Sequence, residues 1–305
     1  MKITAIVSSY LALLRVEFDL ATGHGATTPI DTGRGVYFGL TRDGDRLLVA
    51  ARNRLPGGRA RGGETDVIHT LDLAGGVLRP WLRDPELDDL HQIRRIGDRL
   101  GVVLGHGSKV TMFDLRSGAR RGEIALLPLV PEPLRCPVSP AHPTDPHHFN
   151  SLGVDGESLL VLAHNWERGS FALELDHAAA PARLVAVHQG LGRASHDVAR
   201  IDGTLHVLDS EGGRLLLRGA SERAVTLPRL SSPGFARGLA ITARHVLITY
   251  GFWSAERFGR VRTPTRLCVL DRATWAIVAD MELGLFGNPT AIRVVSEPDL
   301  ADGDG

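Results

Sequence analysis

A short phrase recurs five times along the 305-residue chain: an aromatic or polar entry, an apolar run, a turn, and a second apolar run. It opens at Tyr37-Phe38, His91-Gln92, His148-Phe149-Asn150, His196-Asp197 and Ala236-Arg237. Four of the copies reverse at a Gly/Asp pair: Asp43-Gly44, Gly97-Asp98, Asp155-Gly156 and Asp202-Gly203. Such pairs supply the tight reversal of a hairpin between strand-length apolar runs. Most copies are followed by a third apolar run ending in an acidic turn, such as residues 110–118, and by a fourth, such as 123–126. Four short antiparallel strands repeated every 40 to 57 residues is the arithmetic of a β-propeller, with one blade per repeat.

The ends of the chain supply the blade count. The N-terminal region offers three strands, near residues 2–8, 12–20 and 26–30, and the C-terminal region offers one orphan entry strand at 288–295. If the late strand enters the first blade, the ring closes without an unpaired edge. The expected fold is therefore all-β: a six-bladed β-propeller forming a single domain over residues 1–297, with a disordered tail at 298–305. Two β-sandwiches would leave the recurring phrase unexplained.

Composition narrows the function classes. At 43% hydrophobic and 23% charged residues the chain reads as globular. Thirty-five basic residues balance 35 acidic ones, so the broad positive footprint of a non-specific nucleic-acid binder is missing. No apolar stretch approaches the roughly 20 residues that cross a bilayer, so no membrane partner is expected. Cys136 and Cys268 are too few for a disulfide framework. The apolar start, Ile3 to Val7, is broken up by Ser8, Ser9 and Arg15 and reads as a strand rather than a signal peptide. A cytoplasmic protein is the corresponding expectation.

In a propeller the first residues of the opening strands surround one mouth of the central channel. Here they are Asn288, Phe38, His91, His148 with Asn150, His196 with Asp197, and Arg237. A lone histidine of this kind is usually structural, but three on adjacent repeats point at one place. Imidazole nitrogens with Asn and Asp oxygens suit a divalent cation, a transition metal or calcium, at roughly 2.0–2.6 Å. The candidate metal ligands are His91, His148, Asn150, His196, Asp197 and Asn288. His148 or His196, when not a ligand, would act as general base, since an ordinary imidazole titrates near neutrality. Arg237 would bind a carboxylate or oxyanion. Phe38, Phe149, Trp166 and Trp253 would join Arg237 in a pocket for a small-molecule substrate, apolar walls with a few converging polar groups being the common composition of such sites. The long connections at 53–65, 127–146 and 252–264 should cover the same face, with His142 and His147 overhanging it. The other histidines, His69, His164, His206 and His245 among them, are expected at the surface. No nucleophile elbow, phosphate loop or zinc-protease motif is present.

The phrases Phe149-Asn150-Ser151-Leu152-Gly153-Val154-Asp155-Gly156 and His196-Asp197-Val198-Ala199-Arg200-Ile201-Asp202-Gly203 resemble the blade openings of six-bladed gluconolactonase, paraoxonase and strictosidine-synthase relatives. The resemblance implies Asn150 and Asp197 as leading metal ligands on the propeller axis. Where the lactonases carry a Glu opening and a further Asn, this chain has Gly287-Asn288-Pro289 and His91-Gln92. That more histidine-rich set favours a transition metal. The expected activity is hydrolysis of a lactone or ester, or a related lyase or cyclisation step. The competing expectation is a non-catalytic propeller that binds a protein or glycan, with Trp166 and Trp253 as contact anchors.

Overall fold

In a computed structural model of the chain, each of the five phrases forms the first two strands of a four-stranded antiparallel sheet. The structure describes residues 1–53, 65–105, 107–136, 145–228, 234–254, 256 and 258–296. His106, His142, the core of the 53–65 connection, part of the 127–146 connection and the C-terminal segment 298–305 lie outside them. The hairpin glycines Gly44, Gly97, Gly156 and Gly203 adopt φ of +60°, +60°, +58° and +73°. A side chain there would meet the steric penalty that glycine avoids.

The sixth sheet is assembled from both ends of the chain. Pro289–Ser296 pairs antiparallel with Lys2–Ser9, placing Val7 opposite Ile292 and Ile6 opposite Arg293, and Ala12–Asp19 and His24–Thr32 complete the sheet. Six four-stranded antiparallel sheets make the chain an all-β six-bladed propeller. Helical structure among the described residues is limited to short 3-10 turns such as Leu127–Leu129 and Trp166–Arg168, and no helix there is long and apolar enough to cross a membrane.

The chain divides into two compact units, one holding the described residues of Met1–Glu86 and those from Thr226 on, the other those of Leu87–Val225. Three sheets make up each. In the first unit, the strand Lys2–Ser9 is buried on both faces: Ile3, Ala5 and Val7 pack with Leu247, Leu267 and Val269, while Ile6 packs with Tyr37, Leu40 and Leu47. The second unit repeats this with Ser158–Ala163, where Leu159, Val161 and Ala163 enter one core and Leu160 and Leu162 the other. Period-two alternation thus feeds two cores from one strand, which is why these strands read as continuous apolar runs. Each buried Leu or Val contributes roughly 1.5–3 kcal/mol.

One irregularity recurs at the start of every opening strand. In Leu90–Ile96 the pairing runs from Leu90 opposite Leu104 to Gln92 opposite Val103, leaving His91 as an extra residue. Asn150 occupies the same place in Phe149–Asp155, and Asp197 in His196–Ile201. In the first unit, Phe38-Gly39 fall at the bulge of Val36–Asp43, Arg237-Gly238 at that of Gly234–Ile241, and Thr290 at that of Pro289–Ser296. A bulge breaks the two-residue alternation and re-aims one side chain. The register equates His91 with Asp197 rather than with His196, because the fifth blade has one residue fewer between bulge and turn.

Candidate functional site

The second unit gathers four histidines and a tryptophan. The ring of His148 lies edge-on to His91 at 4.6 Å between centroids and to His164 at 5.5 Å, and it stacks tilted on Trp166 at 5.0 Å. His164 in turn contacts Trp166 at 5.1 Å and His196 at 6.0 Å. His91 and His196 come from opening strands, His148 from the residue before one, and His164 from the end of a second strand.

Each of three rings is oriented through Nδ1. His148 Nδ1 donates to the Asp145 carboxylate in a short hydrogen bond. The other oxygen of that carboxylate accepts the His148 backbone N–H at 2.8 Å. One residue therefore fixes both the imidazole and a backbone held at φ +52°. His91 Nδ1 donates to the Asp89 carbonyl at 3.0 Å, and His196 Nδ1 pairs with the Ser210 hydroxyl at 2.9 Å. A proton held at Nδ1 places the lone pair of a neutral ring on Nε2. Trp166 donates its indole N–H to the Asp145 carbonyl at 3.2 Å, tying the stacked ring to the same residue. Its own segment is anchored by Asn165, whose Oδ1 accepts from His147 Nδ1 at 3.0 Å and whose Nδ2 donates to the Gly169 carbonyl at 3.0 Å.

Asn150 and Asp197 sit in a buried hydrogen-bond network. Gln92 donates to Asp197 Oδ1 at 2.6 Å and accepts from the Leu152 backbone N–H. The Ser151 hydroxyl donates to Asn150 Oδ1 at 2.8 Å and accepts the Asp197 N–H at 2.9 Å, and Asn150 donates to the Ser195 carbonyl at 3.0 Å. This buried network clasps the three opening strands of the unit and satisfies polar groups that would be costly alone. Asn150 Oδ1 and Asp197 Oδ1 are the oxygens engaged in it. Asn288 belongs to the first unit, where it accepts from the Thr263 hydroxyl at 2.8 Å and donates to the Phe252 carbonyl at 3.1 Å. Among the described residues, no three His, Cys, Asp or Glu side chains are set to hold a metal ion.

The first unit brings together Phe38, Arg237 and Trp253 with residues the sequence did not single out. Arg52 lies 3.9 Å over the Phe38 ring, Arg237 lies 5.4 Å over Phe235, and Arg260 lies 4.6 Å over Trp253. Tyr10 sits 6.2 Å from Phe38. Burial alone would raise the Tyr10 phenol, but the guanidinium groups of Arg237, Arg260 and Arg52 outweigh it and hold the phenol below its ordinary value.

The fold has solved counterparts. No protein-family model and no curated protein matches the chain. Among solved structures it is similar to a chain of a nidogen–laminin complex, with TM-score 0.65 and 10% identity over 97% of this chain and 99% of that one. It is also similar to a 6-phosphogluconolactonase-like protein of Bacteroides fragilis, with TM-score 0.56 and 11% identity over 97% of this chain and 98% of that one. These likenesses carry the six-bladed propeller and nothing finer.

Of the residues read from the sequence, His91, His148, His196 and Trp166 come together in the second unit, and Phe38, Arg237 and Trp253 in the first. Phe149 packs into the core against Phe171 and contributes no polar surface. His69, His206 and His245 are buried rather than at the surface. Sequence reasoning missed Asp145 and His164. The Asp145-x-x-His148 spacing is the local signal for the first, since an Asp side chain reaches the backbone N–H a few residues on. His164 carried no signal beyond being a histidine at a strand end.

Proposed function

We propose that the second unit is an acid–base site acting on a small organic substrate, with His148 as the base that takes a proton from a substrate carbon or from a water attacking a lactone or ester carbonyl. The single observation that carries this reading is the Asp145–His148 pair: a carboxylate holds Nδ1–H, and the left-handed backbone is over-determined by the same residue. Non-glycine residues held in this region cluster at functional sites. Asp145 holds the ring in one orientation, with the basic lone pair on Nε2, and stabilises the imidazolium once the proton arrives. Trp166 and the edges of His91 and His164 wall the imidazole and exclude water from its flanks. The lactonase-like fold neighbour is consistent with this chemistry class.

A metal-assisted form of the reading keeps only nitrogen donors. Hydrogen bonds at Nδ1 of His91, His148 and His196 are the outer contacts that ligand imidazoles characteristically make. A bound cation there would polarise a substrate oxygen.

Turnover of a panel of small lactones and carboxylic esters tests the reading. His148→Ala lowers the rate about 100-fold or more, and Asp145→Asn lowers it with circular dichroism unchanged. Absence of turnover across the panel, or a His148→Ala rate equal to wild type, overturns it. Elemental analysis of the purified protein decides the metal-assisted form. Stoichiometric metal that is lost in His91→Ala supports it, and no stoichiometric metal rejects it.

A further inference from the structure

The first unit carries a cluster of arginines and aromatic rings. Arg237 is only 7% exposed. Its guanidinium sits between aromatic faces, 5.9 Å from Phe38 and 5.4 Å from Phe235. Arg260 donates from Nε to the Ser254 carbonyl at 2.9 Å, and its charge acts with that of Arg237 on the Tyr10 phenol. Its guanidinium lies over Trp253, which is itself 44% exposed and packed 4.8 Å from Phe235. Two arginines and a phenol thus converge next to an indole left open to solvent. Positive charge with planar donors suits a carboxylate, and an exposed ring beside it suits an apolar body.

We propose that this corner of the first unit binds a small organic carboxylate, gripped by Arg237 and Arg260 beside the Tyr10 hydroxyl, with Trp253 covering its apolar part. The depressed Tyr10 phenol is the internal reporter of the same field. An anion arriving between the guanidinium groups repels the phenolate, so it moves the Tyr10 titration upward. The chain has three tyrosines. The other two, Tyr37 and Tyr250, are pushed well above the ordinary phenol value by burial and by hydrogen bonds to Asp31 and Asp280. The lowest tyrosinate step in ultraviolet absorbance therefore belongs to Tyr10, and Tyr10→Phe removes it.

The test is calorimetric titration of the full chain with benzoate and, separately, with inorganic phosphate, alongside the tyrosinate titration. Benzoate binds saturably and raises the Tyr10 step, and Arg237→Gln weakens binding about tenfold or more, the scale of one charged hydrogen bond. Because Arg237 is buried and its variant can unfold, Arg260→Gln serves as a second variant at a half-buried position with the same expected direction. No saturable benzoate binding, unchanged affinity in Arg260→Gln, or phosphate bound as tightly as benzoate overturns the proposal.

Discussion

At φ +52° the backbone of His148 is held by the Asp145 carboxylate, and the same carboxylate holds its ring. Other non-glycine residues near the openings of the second unit share the left-handed region: Asp89 at +62°, Trp166 at +47°, Ala194 at +51° and Asp197 at +54°. Each such angle costs of order 1–3 kcal/mol, so the surroundings must impose it. Gly105 shows how tightly they do. Its N–H donates to the Asp89 carbonyl at 2.7 Å, and a Cβ at this position would overlap both the Asp89 carboxylate and the His91 ring. Gly105→Ala is therefore expected to displace His91 from the edge of His148 while leaving circular dichroism unchanged. Imidazole NMR signals of His91 and His148 that match wild type would contradict the packing described.

Strands and their pairings account for how those residues are presented. The bulge at each opening strand selects His91, Asn150, Asp197, Phe38 and Arg237 out of the alternation, and the recurring phrase reveals these positions because its polar entry interrupts an apolar run. Neighbouring blades of the second unit are also tied through Glu174. Arg200 donates to both of its oxygens at 2.6 Å, and His188 and Ser158 bond them at 2.7 Å and 3.1 Å. Hydrogen bonds from Arg200, and then from His188, hold the Glu174 carboxyl at about 2, against the burial that would raise it. A carboxyl depressed in the folded state contributes stability that is fully present above its unfolded value, near 4.3, and is lost as pH falls through about 2. Glu174→Gln should cost roughly 3 kcal/mol at neutral pH and flatten the acid limb of the stability curve. Urea denaturation at pH 7 and pH 3 measures both effects, and parallel curves for variant and wild type would show the tie to be inert.

For the molecule as a whole, the decisive contact is made by the last described strand. Pro289–Ser296 covers the edge of Lys2–Ser9, and Ala291, Ile292 and Val294 bury their side chains in the cores of the first unit. Deleting residues 289–296 would leave a row of unpaired backbone groups along an apolar strand, which invites edge-to-edge association. The truncated chain is expected to lose cooperative thermal unfolding and to elute as aggregates in size-exclusion chromatography. A monomeric, cooperatively folding truncation would show that the closing strand is dispensable.

The sequence by itself determined the six-bladed class and most of the positions that open each blade. Strand alternation, Gly/Asp turns and the leftover strand at the end are local signals, and period two is enough to assign a face. Only the tertiary structure decided which partners those positions meet. It tied Asp197 to Gln92 and Ser151 on the neighbouring opening strands, and Asn150 to the Ser195 carbonyl. It paired Asp145 with His148, brought His164 beside them, and set the charges of Arg237 and Arg260 near the Tyr10 phenol. Those partners lie on different strands and connections, and no periodicity along the chain encodes which side chains meet across them.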